Sequence, residues 1–234
     1  MLEGDNYQFQ IDCGEHSKLM LAPQANTRIF PCPNGITSRQ HIRGTVYAQA
    51  TAVSGGDPTV LYENSRYSQS QVWTLHPGAR LALMDWMVAG RLERGENFAF
   101  DSFESEIRVE DSGGRPLLSD RLLLSPADGA KAETQGGMGG FSSHLAVYVM
   151  GPGWEAIHSG LEAWLRAADA EKDGSRPAWM DACRIAGLGV REGLGFSLRA
   201  LGQDRAALEP LAGRLFELLS SNEWLGFDYW TRKY

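Results

Sequence analysis

The side chains with most chemistry to offer lie in one stretch. Asp85 interrupts an otherwise apolar run, Leu-Ala-Leu-Met-Asp-Trp-Met-Val-Ala-Gly at 81–90, and Arg91, Glu93, Arg94, Glu96, Asp101, Glu104 and Glu106 follow it. Most of these charges suit a solvated strand face with cross-strand ion pairs. Asp85 resists that reading. Its neighbours two positions away, Leu83 and Met87, are apolar, so strand parity puts all three on one face. If that face is the core, the carboxylate is buried and must be paired or hydrogen-bonded. Arg91 and Arg94 are the nearest cations in sequence. A buried acid with a cationic partner is either a structural lock or part of a polar channel, and both readings stay open here.

Other catalytic patterns are missing from the sequence. His16, His41, His76, His144 and His158 fall in no HExxH or HxH spacing, which leaves only a metal site assembled across strands. The three cysteines, Cys13, Cys32 and Cys183, form no CxxC, and the plain reading is three reduced thiols. The glycine run at 136–140 lacks the Gly-Lys-Ser/Thr ending of a phosphate loop, and is expected to be a flexible connection between strands. Gly187-Leu188-Gly189 and Gly193-Leu194-Gly195 lack the spacing of a dinucleotide fingerprint. No GxSxG elbow occurs.

The elements that must position Asp85 are mostly strands. The chain has 234 residues, 43% hydrophobic and 22% charged, with 27 glycines. That is an ordinary globular balance, tilted towards turns and β structure, and it excludes collagen, coiled coil and wholesale disorder. From residue 6 to about 150 the apolar period is near two. Tyr7, Phe9 and Ile11 form one run, Val46, Tyr47 and Ala48 a second, and Val72, Trp73 and Leu75 a third. Turn signals separate the runs at 33–35, 55–58, 76–78 and 112–116. Phe98 and Phe100 share one parity, whereas Phe103, Ile107 and Val109 share the other, which predicts a β-bulge or bend near 101–102. Helical spacing first appears at Ile157, Leu161, Trp164, Leu165 and Ala168, after Gly153. It returns at Leu208, Leu211, Leu215, Leu218 and Leu219, with the start expected near Glu209 because Pro210 belongs in a first turn. Strand character at 185–190 and 195–201 flanks Arg-Glu-Gly. No repeat of 20–50 residues is visible. The expected fold is mainly β: a single domain over 1–234, of many short strands with two α-helices late in the chain.

The net charge is −7 and no basic run occurs, against a general nucleic-acid binder and in favour of solubility and a cationic partner. No basic leader precedes an apolar stretch, and the apolar segments 81–90 and 145–151 are too short for a membrane helix. The expectation is a soluble cytoplasmic protein without a membrane partner.

Residues 21–30, Leu-Ala-Pro-Gln-Ala-Asn-Thr-Arg-Ile-Phe, together with Gly4-Asp5, Asp85-Trp86, Gly90-Arg91, Gly95-Glu96, Arg115-Pro116-Leu117, Asp120-Arg121-Leu122 and Gly202, carry a resemblance in order and spacing. The chain resembles the urease accessory proteins of the UreD (UreH) family from about residue 2 to 230. The likeness implies a β-rich maturation chaperone that is not an enzyme. It implies binding to a UreF-type protein, to a UreG-type GTPase through it, and to apo-urease, in support of nickel insertion. It also implies that the family's N-terminal strands are lacking here, and residues 50–58 replace the family's Pro-rich segment. On this reading no cofactor is tightly bound and Ni2+ is transient. Asp85, Glu96, Asp101 and Glu104 line or support a polar nickel path. Gln24, Thr27 and Arg91 support its walls. Oxygen ligands along a channel bind a divalent ion weakly enough to release it.

The late segment is rich in aromatics: Trp164, Trp179, Trp224, Phe227, Tyr229 and Trp230. They either fill the core between helices and sheet or form an interface. Trp224, Phe227, Tyr229 and Trp230, in and before the tail 227–234, are the partner-binding candidates. The rival from another class is a β-sandwich carbohydrate-binding or glycoside-hydrolysing domain. Its support is the abundance of Asp, Glu and Trp on short strands, and it needs two carboxylates facing each other about 5–10 Å apart.

Overall fold

A computed structural model describes residues 1–126, 138–170 and 177–230. The first strands run β1 (Asn6–Cys13), β2 (Lys18–Leu21), β3 (Thr27–Ile29), β4 (Ser38–Val46), β5 (Thr51–Ser54), β6 (Thr59–Leu61), β7 (Arg66–Leu75), β8 (Arg80–Val88), β9 (Ser102–Asp111) and β10 (Pro116–Leu124). After them come β11 (Ser143–Met150), helices α1 (Trp154–Ala170) and α2 (Ala178–Asp181), the hairpin β12 (Cys183–Arg191) and β13 (Gly195–Gly202), and α3 (Glu209–Leu219). The fold is β-rich, as the period-two runs predict, and the two long helices lie where the helical spacing placed them. The turn signals at 33–35, 55–58 and 76–78 fall between strands, and the one at 112–116 fills the turn after β9 and runs into Pro116, the first residue of β10. Of the run expected at 46–48, Val46 ends β4, and 47–48 belong to the corner that leads to β5. Among the described residues no helix is long and apolar enough to cross a membrane. Residues 136 and 137 of the expected glycine loop, and 231–234 of the aromatic tail, lie outside the described residues.

One sheet has the order β1-β4-β7-β9-β10, and the other β12-β13-β11-β8-β5-β2, with β3 and β6 continuing beside β8. The chain alternates between them. β1, β4, β7 and β9 are parallel neighbours, and so are β2, β5 and β8. Parallel strands need a crossover, and here each crossover is the strand laid in the opposite sheet, so no helix is required. The result is a short coil of parallel strands. Asn6 lies beside Arg39, Ser38 beside Tyr67, and Arg66 beside Ser102. The chain therefore does contain a structural repeat, of roughly 30 residues, which the sequence hides. Only backbone pairing and inward apolar parity recur, and these need no common residue type at equivalent positions.

The hairpin β9–β10 ends the coil, and β11 runs antiparallel between β8 and β13. The parity change near 101–102 is a bend. Phe98 and Phe100 precede the strand, and β9 pairs with β7 in continuous register from Ser102. Phe98 has φ 53, which turns the chain into β9 without a bulge.

Strand β8 is buried on both faces. Ala82, Met84 and Trp86 point outward into a cluster completed by Leu161, Leu211, Leu215 and Phe216 of the helices. Leu81, Leu83 and Met87 point inward, between the sheets. The helices therefore cover one face of the second sheet, and the inward face of β8 lies in the middle of the molecule.

Candidate functional site

Asp85 takes the inward parity of β8 and is 8% exposed. Its partners are not the cations nearest in sequence. Gln69 Nε2 on β7 donates to Oδ1 at 2.7 Å, and Ser105 Oγ on β9 donates to Oδ2 at 2.5 Å. Gln69 Nε2 also lies 2.9 Å from Ser105 Oγ. The expected pairing of Asp85 with Arg91 or Arg94 is thus corrected. Arg91 forms an ion pair with Glu96 and lies 4.2 Å over the Tyr62 ring, while Arg94 lines an open cleft with Arg28 and Arg205. A guanidinium six residues past a strand's centre is carried around the corner, beyond reach of an inward side chain.

Burial pushes the Asp85 carboxyl above the usual carboxylate range, the two hydrogen bonds oppose the shift, and the charge of Asp120 adds to it. Asp120, on β10, accepts from the Tyr148 hydroxyl and from Arg199. Asp85, held by neutral donors from β7 and β9, is buried, whereas Asp120, held by a cation and a phenol, is half-buried at the margin of the sandwich. Beside Asp85 a cavity of about 220 Å³ is lined by Gln40, Gln71, Thr27, Thr59 and Asp57 and, about equally, by apolar residues such as Phe9, Ile42 and Trp86. The Asp57 side chain is 5% exposed and pairs with Arg205 at 3.7 Å.

The other expected site residues separate from this centre. Glu96 is held below the usual carboxylate range chiefly by its hydrogen bond from Arg91. Asp101 pairs with Arg66 at 2.8 Å, and Glu104 with Arg121 at 2.7 Å. Each of these three carboxylates belongs to an ion pair outside the Asp85 cavity. Among the described residues no three His, Cys, Asp or Glu side chains converge on one point that could hold a metal ion. Thr27 lines the cavity, whereas Gln24 is exposed in the turn between β2 and β3. Gly90-Arg91 and Gly95-Glu96 form one local knot: the 3-10 turn Leu92–Arg94 brings Arg91 back to Glu96, and a Cβ on Gly90 would collide with the Glu96 carbonyl.

Trp224 is 1% exposed, inside the core under the helices, so it offers no face to a partner in this conformation. Phe227, Tyr229 and Trp230 are half-buried against the same core, and the Trp230 ring stacks on Phe216 at 5.3 Å. Trp164 and Trp179 stack on each other at 4.9 Å.

Sequence reasoning missed Gln69, Ser105, Asp57 and Asp120. The signal for the first two was present. In β7 the residues Tyr67, Gln69, Gln71, Trp73 and Leu75 share the buried parity, and in β9 Phe103, Ser105, Ile107 and Val109 do. A polar residue in phase with core residues marks a buried group that must find a partner.

His144, on β11, is a second buried group. It is 8% exposed, its Nδ1 makes no hydrogen bond, and burial depresses its pKa to about 4. The unfolded chain takes up this proton near pH 6.5 and the folded chain does not. Stability is therefore lost as pH falls from 6.5 towards 4, by on the order of 3 kcal/mol. Denaturant unfolding across that range is expected to show this loss reduced in His144→Leu; parallel pH profiles for the two proteins would contradict it.

A family model described as UreD urease accessory protein matches residues 1–230. The chain is similar to a urease accessory protein UreD of Cytophaga hutchinsonii, with 33% identity over 97% of this chain and 80% of the relative. It is similar to another from Sorangium cellulosum, with 32% identity over 96% of this chain and 69% of the relative. A urease accessory protein D of Arabidopsis thaliana is 26% identical over 53% of this chain and 42% of its own length.

Proposed function

The chain belongs to the UreD family of urease accessory proteins, and from that premise we propose that it acts by binding, without catalysing a reaction, as an assembly factor for nickel insertion into urease. In this reading it works in the cytoplasm. It engages a UreF-type protein, a UreG-type GTPase through that protein, and apo-urease. Nickel is cargo, and no cofactor is needed.

The observation that supports the reading most is Asp85, a carboxylate inside the sandwich whose partners are an amide and a hydroxyl, with no cation. Among the described residues no cation contacts Asp85, and a cavity lies beside it. A divalent ion entering that cavity would supply the missing positive charge, and oxygen ligands would hold it loosely enough for release. Asp85 is then the ligand-bearing residue of the path, and Thr27 part of its wall. Glu96, Asp101 and Glu104, engaged by Arg91, Arg66 and Arg121, support the surrounding strands. The half-buried Phe227, Tyr229 and Trp230 are the aromatic residues offered to a partner. Ion-paired carboxylates do not favour the carbohydrate alternative, which needs two acids free to work on one substrate.

Coexpression of the tagged chain with a UreF-type protein, followed by size exclusion, tests the partner assignment. A stoichiometric complex is the expected result, and a folded chain eluting apart from UreF would contradict it.

A further inference from the structure

Two cavities share the short β3–β6 ladder as a wall. The paired residues Thr27 and Thr59 line the Asp85 cavity. The next pair along, Arg28 and Val60, lines the cleft of about 710 Å³ that also holds Arg94. Successive residues of a strand point to opposite faces, so the ladder is a partition between cavity and cleft. The partition ends at Asn26, just before β3, and Asp57, in the turn before β6. Asp57 lines the cavity and Asn26 lines the cleft. Arg205, in the turn between β13 and α3, joins the two from the cleft side.

Arg205 holds the two sides unequally. Towards the cleft its Nη1 donates to Asn26 Oδ1 at 3.2 Å, and its Nε forms an ion pair with Glu209 at 2.7 Å. Towards the cavity its Nη2 lies 3.7 Å from Asp57 Oδ1, which is ion-pair range beyond hydrogen-bond reach. The guanidinium can therefore draw back from Asp57 and keep both cleft-side contacts. It keeps its charge at every physiological pH, so while it sits on Asp57 it repels a divalent ion arriving from the cleft. We propose that Arg205 controls cation entry to the Asp85 cavity. Seated on Asp57 it holds a divalent ion out, and drawn back to Asn26 and Glu209 it leaves the Asp57 carboxylate to ligate one beside Asp85. The proposal rests on reading that cavity as a nickel path, and it adds where the ion enters and which residue bars it.

Equilibrium dialysis of the full chain against Ni2+, with thermal melts in its presence and absence, tests this. Arg205→Gln removes the guanidinium and is expected to bind Ni2+ about tenfold tighter than the wild type, with a larger rise in melting temperature on adding the metal. Arg205→Lys keeps the charge and should bind like the wild type. Asn26→Asp removes no side chain from the core, draws the guanidinium towards the cleft, and should also tighten binding, so it decides the matter if Arg205→Gln does not fold. Either gain should vanish when Asp57→Asn is added. Nickel held at surface histidines is common to every variant and cancels in the comparison. Binding no tighter than the wild type would overturn the proposal, and so would a gain that survives Asp57→Asn. Urease loading separates this result from the proposed function. A wild-type chain that supports loading, with no gain in the variants, removes the guard and leaves the function. A gain in the variants, with loading indifferent to the chain, does the reverse.

Discussion

Asp85→Asn is expected to lower urease activation by roughly tenfold or more while leaving the protein folded and able to bind its UreF-type partner. Asparagine has the shape of aspartate. Its side-chain oxygen still accepts from Gln69, and the Ser105 hydroxyl turns to accept from the new amide, so neither buried group loses its bond. Only the charge goes. Burial holds the Asp85 carboxyl above the usual carboxylate range, which means that ionising it works against the folded state. The stability belonging to its protonated form is complete below the unfolded pKa and is lost as pH rises through the folded one. The asparagine variant should therefore equal or exceed the wild type in stability at neutral pH, with an advantage that grows upward from about pH 4. Asp85→Leu, by contrast, takes the acceptor away from both the Gln69 amide and the Ser105 hydroxyl, leaving them only their bond to each other, and should cost about 1–3 kcal/mol. Activation assays paired with denaturant melts separate the two effects. An asparagine variant that is stable and fully active would remove Asp85 from the nickel path.

The second large effect concerns the coil itself. Gly44 on β4 lies beside Trp73 on β7, and Trp73 is fully buried. A Cβ built on Gly44 falls well inside van der Waals contact of the Trp73 six-membered ring. The indole therefore lies across the glycine, in space that any side chain at 44 would need. Trp73→Ala should cost about 3–5 kcal/mol through the cavity it leaves. Gly44→Ala should cost about 1–3 kcal/mol through overpacking. The two sites touch, so their effects should not add. Trp73→Leu is expected to be less harmful in the Gly44→Ala background than in the wild type, because the smaller side chain makes room for the new methyl. A double-mutant cycle from urea unfolding reads this coupling, and strict additivity would argue against the close approach.

Particular residues show how much of this was legible in sequence. Period-two runs and turn residues locate the strands because each strand buries one parity and each corner needs turn chemistry. Pro210 and the leucine spacing locate α3 for equally local reasons. The same parity rule places Asp85 inside the fold. Its partners are harder to read. Gln69 and Ser105 are 16 and 20 residues from Asp85, and they meet it because β7 and β9 are neighbours in the opposite sheet. Local pattern does not specify which strands become neighbours. Arg91 looks close in sequence, but the corner after β8 turns it away towards Glu96. Trp224 looks like an interface residue by composition, and the turn after α3 folds it beneath the helices. The coil repeat is hidden for the same reason, since backbone pairing and inward parity recur without the residues.

On the proposed function this chain supports urease maturation through the carboxylate and cavity in its interior. The most direct measurement is the nickel content and activity of urease expressed with UreF- and UreG-type proteins, with the chain present, absent, or carrying Asp85→Asn. Full loading with the chain, little without it, and a marked deficit with the folded asparagine variant is the expected result. Equal nickel loading in all three would contradict a role for this chain, and for Asp85, in nickel delivery.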